Sequence, residues 1–382
     1  MKNSYFLSQP HQPFFTLSFI NAIVFMLLFL LSYKGVVALH VDVINFHSFG
    51  LIYLFFTPAF FAFLFTTFPR FLSTAVIEKS LYIRIFSLFA ISSLSFILGA
   101  LFSSILYNIS MLITTIAFIY SYKTLFDIYK SSSVPNKHDP FWILVGASFG
   151  IVGILLFSFT PFNTLATEVS VYLFLFLVTF SVAQRMIPFF SGCNYFKNPK
   201  FLKYTTVLLV VHVLLDALNT NISFIIDIVL AIYIGREIYR WKLPFPNQNP
   251  LLWILHIALF WIPISFVLSF ISNAIEFFFQ KSFLALDIHS LLIGFLLTIL
   301  IGFGTRVTLG HSGNSMFVTQ LTKFIFIWTQ IVVLLRVVTS IVASFEMNYM
   351  ILFDISATVW IVLFLLWSWQ FLKVLISGKQ LS

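Results

Sequence analysis

Leu284-Ala-Leu-Asp-Ile-His-Ser-Leu-Leu-Ile-Gly-Phe-Leu-Leu-Thr-Ile-Leu-Ile-Gly-Phe-Gly-Thr305 decides the fold class. Asp287 sits near its start, and no further charge interrupts the apolar run. As a helix rising 1.5 Å per residue it reaches roughly 30 Å, the thickness of a bilayer's hydrocarbon core. A membrane barrel strand would alternate apolar and polar residues instead. Eleven blocks of the same kind accompany it, near 14–38, 44–68, 81–104, 106–128, 141–160, 165–188, 203–219, 222–239, 250–271, 321–344 and 350–372. The reading is an all-α polytopic membrane helix bundle of about twelve transmembrane helices, a single integral membrane domain over residues 1–382. Helices 7 and 8 are the shortest, joined by a tight turn at Asn219-Thr-Asn221.

Composition points the same way. Hydrophobic residues make up 60% of the 382, charged residues 9%, and mean hydropathy is +1.03. A soluble domain is about 25% charged, so a soluble enzyme, a DNA-binding protein, a disordered chain and a secreted disulfide scaffold are excluded. The net charge of +9 would suggest nucleic acid in a soluble protein. Here the lipid bilayer is the expected partner, no nucleic acid is, and the basic residues set topology. Cys193 is the sole cysteine, which excludes an intrachain disulfide and a thiolate metal cluster. The 52 phenylalanines read as filler at lipid-facing positions.

With the N-terminus in the cytoplasm, Lys2, Arg70, Lys79, Arg84, Lys123, Lys130, Lys137, Arg185, Lys197, Lys200, Lys203, Arg236, Arg240, Lys242, Arg306, Lys323, Lys373 and Lys379 all fall inside, 18 of the 21 Lys and Arg. Lys34 and Lys281 fall outside and Arg336 lies within helix 11. The positive-inside rule therefore predicts a multi-pass protein with both termini cytoplasmic. Residues 1–13 carry one lysine and lead into a block of spanning length, so no cleaved signal peptide is expected. Gly302-x-Gly304 lacks the strand and third glycine of a phosphate loop, which argues against an ATP-driven pump. No repeat relates the two halves, which disfavours transporter folds built on one.

Polar groups inside a bilayer are costly and default to functional suspects. His47 lies about three residues into helix 2 from its outer end, and His289 about five into helix 10, depths about 3 Å apart at the helical rise. Two imidazoles at one depth suit axial ligation of a single haem. His289 and His311 are about 33 Å apart on one helical run and mark opposite faces. His256 lies about 9 Å into helix 9, on the cytoplasmic side with His311, Arg306 and Arg185. That tier suits copper, or haem propionates held by arginine. Arg336 requires an anionic partner, Asp354 or a propionate. Against each histidine stands an interhelical hydrogen bond. His212 and Asp216, one turn apart, read as a local tie between helices. Asn45 or Asp287 is the expected acceptor behind a ligating imidazole. His11 and His138 read as solvated, His40 as a residue of the outer loop. Asp227 and Asp354 are the carboxylates best placed for proton-coupled transport.

Three stretches carry a resemblance: Gln184-Arg-Met-Ile-Pro-Phe-Phe190, Pro250-Leu-Leu-Trp-Ile-Leu-His256, and the run from Asp287-Ile-His289 to Gly304-Thr-Arg-Val-Thr-Leu-Gly-His-Ser-Gly313. Pro13-Phe-Phe15, Thr66 to Pro69, Leu335-Arg-Val337 and Ser356-Ala-Thr-Val-Trp360 support it. Together they resemble the NnrS family of bacterial inner-membrane proteins over nearly the whole chain. The family's helix 2 opens with a histidine-x-histidine-glutamate pattern. Here its first histidine is His47, while Phe49 and Gly50 stand at the other two positions. The resemblance implies a haem- and copper-containing membrane protein tied to nitric oxide metabolism and resistance to nitrosative stress, with an electron donor that the sequence does not name and no reaction assigned. Its site residues here would be His47, His289, Arg306, Arg336 and Arg185 for haem, with His256 and His311 added for metal. Nitric oxide or an iron–nitrosyl species would be the ligand. The alternatives are a transporter for a small metabolite or metal complex, and an assembly or sensing factor for a respiratory reductase.

Overall fold

The computed structural model describes residues 5–218, 221–345 and 347–381. Among them are twelve long helices: α1 His11–Tyr33, α2 Val43–Phe71, α3 Lys79–Phe102, α4 Ser104–Ser131, α5 His138–Phe159, α6 Asn163–Phe190, α7 Phe201–Ala217, α8 Phe224–Arg240, α9 Pro250–Phe279, α10 Leu286–His311, α11 Gln320–Ser344 and α12 Met350–Ser377. Ten are long and apolar enough to cross a membrane. α7 and α8 have 17 residues each, about 25 Å of helix, slightly less than the hydrocarbon core. The tight turn expected between them lies partly, and Lys2 wholly, outside the described residues.

The helices begin where the sequence offers a cap. Asp42 accepts the Asn45 backbone N–H ahead of α2, Ser103 accepts that of Leu106 at α4, Asn249 that of Leu251 at α9 and Thr319 that of Thr322 at α11. Each satisfies a donor that the first turn would leave orphaned. Pro250 then opens α9 at a position where its missing N–H costs nothing.

Three helices differ from the rest. α2, α6 and α10 are the most buried, with 94%, 89% and 78% of their core windows enclosed. Each is wound wide over seven or eight residues, Gly50–Phe56, Val169–Phe176 and Ser290–Leu297. Such π turns are rare and shift side chains out of the 3.6-residue register. They recur at intervals of roughly 120 residues, the signature of an internal repeat. Tyr53 and Tyr172 keep that interval, as do Pro69 and Pro188, and Arg185 and Arg306, while Thr57 and Thr298 stand two intervals apart. Thr57 Oγ1 donates to Ile52 O at 2.8 Å and Thr298 Oγ1 to Ile293 O at 3.2 Å, each closing its wide turn in the same way. The chain is thus three quartets, α1–α4, α5–α8 and α9–α12, whose second helix is the wide one. A comparison of halves does not find a repeat of thirds.

The chain forms two units. The first holds residues 1–170, 304–317 and 360–382. Its core is aromatic: Phe14, Phe15, Phe19, Phe25, Phe46, Phe49 and Phe55 are buried. Phe19 meets Trp367 edge-on with centroids 4.2 Å apart, and Phe46 stacks on Phe96 at 5.1 Å. The reading of phenylalanine as lipid-facing filler is therefore wrong for this set. Edge-to-face rings fill volume that branched aliphatics would leave open. Asn21 ties α1 to α2 and α3 by donating to Leu54 O at 2.6 Å and Ser93 Oγ at 2.8 Å. The second unit holds residues 171–303 and 318–359, with α8 packed along α9.

Candidate functional site

In the second unit, α10 opens with His289 one residue ahead of its wide turn. His289 Nδ1 lies 2.8 Å from the carbonyl of Ala285, four residues back. A carbonyl only accepts, so Nδ1 carries a proton in this contact. Arg336 Nη2 is 3.2 Å from the same Nδ1, but it donates to Leu284 O at 2.9 Å. Arg336 Nη1 donates to Ser340 Oγ, and Ser340 Oγ to Leu284 O at 2.8 Å. The guanidinium thus braces the segment whose carbonyl sets the tautomer. Ala285 itself has φ of 44°, the left-handed region that a non-glycine residue enters only under constraint. The structure brings His289 and Arg336 together. The acceptor behind His289 is Ala285 rather than Asp287, which takes the Tyr172 hydroxyl at 3.3 Å.

In the first unit His47 precedes the wide turn of α2 and stacks on Phe29, centroids 4.0 Å apart. Phe49 is fully buried, packed against Phe96 and edge-on to Phe157. An aromatic core occupies the position where the family pattern has its second histidine. An ideal Cβ on Gly50 would lie 3.1 Å from Phe96 and 3.2 Å from Phe25, so a glutamate there would need both rings to yield.

The other end of α10, also in the first unit, holds a pair that sequence reading missed. His311 closes α10, and its ring centroid is 4.9 Å from that of His11. His11 is not solvated: it is the first residue of α1 and is 1% exposed. Its Nδ1 is buried and makes no hydrogen bond. Arg70, at the end of α2, is close enough for its charge to act on both imidazoles. Polar Gln9 and Gln12 around His11 disguise it as a hydrophilic head. Pro10 directly before it, a residue suited to a helix start, was the available signal.

His256 is fully buried in the second unit, with Nε2 2.8 Å from Ser191 Oγ. Arg185 lies in α6 of the second unit and Arg306 in α10 of the first, beside Thr305, which accepts the Trp367 indole N–H at 3.1 Å. Among the described residues no three His, Cys, Asp or Glu side chains are placed to enclose a metal ion.

A further cluster fills the second unit. His212 is fully buried, with Nε2 3.2 Å from Asp216 Oδ2 and Nδ1 2.8 Å from Asp227 Oδ1. The expected i,i+4 pair is in ion-pair contact, without hydrogen-bond geometry at either imidazole nitrogen. Asp227, on α8, is the partner that no local spacing could reveal. Outside the helices, partial burial raises the Cys193 thiol above its ordinary value.

Comparison with known proteins finds a family model described as NnrS protein that matches residues 5–379. No curated protein matches the chain.

Proposed function

The chain belongs to the NnrS family, and from that membership and the histidine geometry we propose a haem-binding protein that handles nitric oxide or iron–nitrosyl species and protects against nitrosative stress. Its place is the bacterial inner membrane, with both termini cytoplasmic. The observation that carries the reading is the 2.8 Å contact of His289 Nδ1 with Ala285 O, which assigns a proton to Nδ1. Ligating histidines are held in this way, by a carbonyl on the far nitrogen. Arg336 braces that carbonyl's segment and offers cationic N–H groups beside the imidazole, where a propionate carboxylate would be met. His47, in the first unit, is a further candidate haem ligand. Bound haem supplies an iron that takes nitric oxide and exchanges single electrons. Aromatic neighbours such as Phe29 stack on the His47 ring and keep water from it.

Copper is the weaker cofactor. His11 and His311 support it as a two-imidazole site, while the nearby Arg70 charge opposes a cation there.

The purified protein's visible spectrum, oxidised and reduced, with metal analysis, tests the reading. A Soret band with iron near one per chain is expected, together with its loss or conversion to high spin in His289→Ala and in His47→Ala. A colourless, metal-free preparation from haem-replete cells would overturn it. A second reading, a transporter for a small metabolite or metal complex, is favoured by the carboxylates around His212. It would show proton-dependent uptake by such a colourless preparation in vesicles.

A further inference from the structure

We propose that His212, Asp216 and Asp227 form a proton-holding site within the second unit, one that takes up and releases a single proton through Asp216. The argument begins with donor counting. A neutral imidazole donates from one nitrogen and accepts at the other, whereas an ionised carboxylate only accepts. Both nitrogens of His212 face carboxylate oxygens, at 2.8 Å and 3.2 Å. With both carboxylates ionised and the ring neutral, one of these contacts would set lone pair against lone pair. His212 and Asp227 have no exposure, so water cannot separate them. A second proton must occupy the cluster, on the imidazole or on a carboxyl.

The remaining acceptors are already satisfied on one side. Asp227 Oδ2 accepts from Ser269 Oγ at 2.9 Å and from Asn273 Nδ2 at 3.0 Å. These neutral donors of α9 hold Asp227 in place. Among the described residues, the charged or titratable groups around the ring are acidic or phenolic: Asp216 on α7, Asp227 on α8, Asp287 on α10, and Tyr172 on α6, whose ring meets the imidazole edge-on at 4.4 Å. Glu276 on α9 in turn faces Asp287. This excess of negative charge in a low-dielectric interior is reduced by a proton. Among the described residues no group of three His, Cys, Asp or Glu side chains, this one included, is placed to hold a metal ion.

Asp216 is the exchange end. Its side chain is 12% exposed where Asp227's is 0%, and it lies beside the α7–α8 turn. The order Asp216, His212, Asp227 is a short wire with one open end and one closed end.

The site is tested on full-length protein in lipid nanodiscs, carrying ring-¹⁵N histidine, by solid-state NMR with infrared spectroscopy between about pH 5 and about pH 9. His212→Gln assigns the ring signals. Asp216→Asn, at the partly exposed edge, gives a second assignment should His212→Gln fail to fold. At neutral pH the expected state is both His212 nitrogens protonated, or one protonated with a carboxyl C=O stretch that disappears in Asp216→Asn or Asp227→Asn. That second proton should leave reversibly as pH rises, and Asp216→Asn should abolish the step. A ring with one bare nitrogen and no carboxyl stretch at any pH would overturn the proposal, as would a second proton that never exchanges. The measurement needs no bound haem, so its result is independent of the functional reading above.

Discussion

At the residue scale, the decisive group is a backbone carbonyl. Ala285 O sets the proton on His289, and Arg336 and Ser340 both donate to Leu284 O next to it. Arg336→Leu removes the brace while leaving the imidazole in place. It should cost about 1–3 kcal/mol, because Leu284 O and Ser340 Oγ lose a charged donor. It should also convert part of any low-spin haem signal to high spin; a thermal melt and the visible spectrum report the two effects. Cys193 gives a prediction in pH. Its thiol is pushed up by burial, and the thiolate is the reactive form. Maleimide labelling should therefore run slower than for a free thiol at neutral pH and keep rising past the point, near pH 8.5, where a free thiol levels off. Equal rates across that range would remove the burial argument. The histidines were legible as residue types in apolar blocks. His11 was not, because its neighbours are polar and only the fold buries it. Asp227 was not recognised as the partner of His212, since the contact crosses from α7 to α8.

At the element scale, the wide turns of α2, α6 and α10 were invisible in the sequence. Gly50–Phe56 and Ser290–Leu297 read as ordinary apolar helix, because the extra residue per turn is fixed by packing and not by propensity. Helix existence and position along the chain were legible, since length and hydropathy decide both in a bilayer. Thr57→Val deletes the hydroxyl that donates to Ile52 O and should cost about 1 kcal/mol with little change in shape. Gly153 marks a tighter constraint. A Cβ there would lie 2.2 Å from Ser170 Oγ and 2.5 Å from Tyr53 Oη, which hydrogen-bond each other at 2.6 Å. Gly153→Leu should destabilise by at least the 1–3 kcal/mol typical of overpacking, while Gly35→Ala, with open space but φ of 71°, should cost about 1 kcal/mol. Detergent melting curves of the two variants separate packing from backbone strain, and equal losses would contradict the assignment.

At the scale of the whole molecule, the basic residues predict that both termini face the cytoplasm. A fluorescent protein fused after Ser382 should glow and alkaline phosphatase fused there should be inactive; the reverse result would invert the orientation. The first unit also has an uneven layout along the chain, taking residues 1–170 and then short pieces near 304–317 and 360–382. Trp360 donates its indole N–H to Ala22 O, a partner 338 residues away. A ribosome adding about 5–20 residues per second needs roughly 20–70 s to cover that interval. During that time Phe19 and Phe55 have been delivered to the bilayer without Trp367 and Trp360, their later neighbours. Lipid tails solvate such rings well, so waiting costs them little; the Asn21 amide, by contrast, already has its partners on α2 and α3. Vectorial synthesis thus leaves an early segment that is inserted and hydrogen-bonded but not yet closed. A chain terminated just before Trp360 would remain in that open form, a ready substrate for membrane proteases.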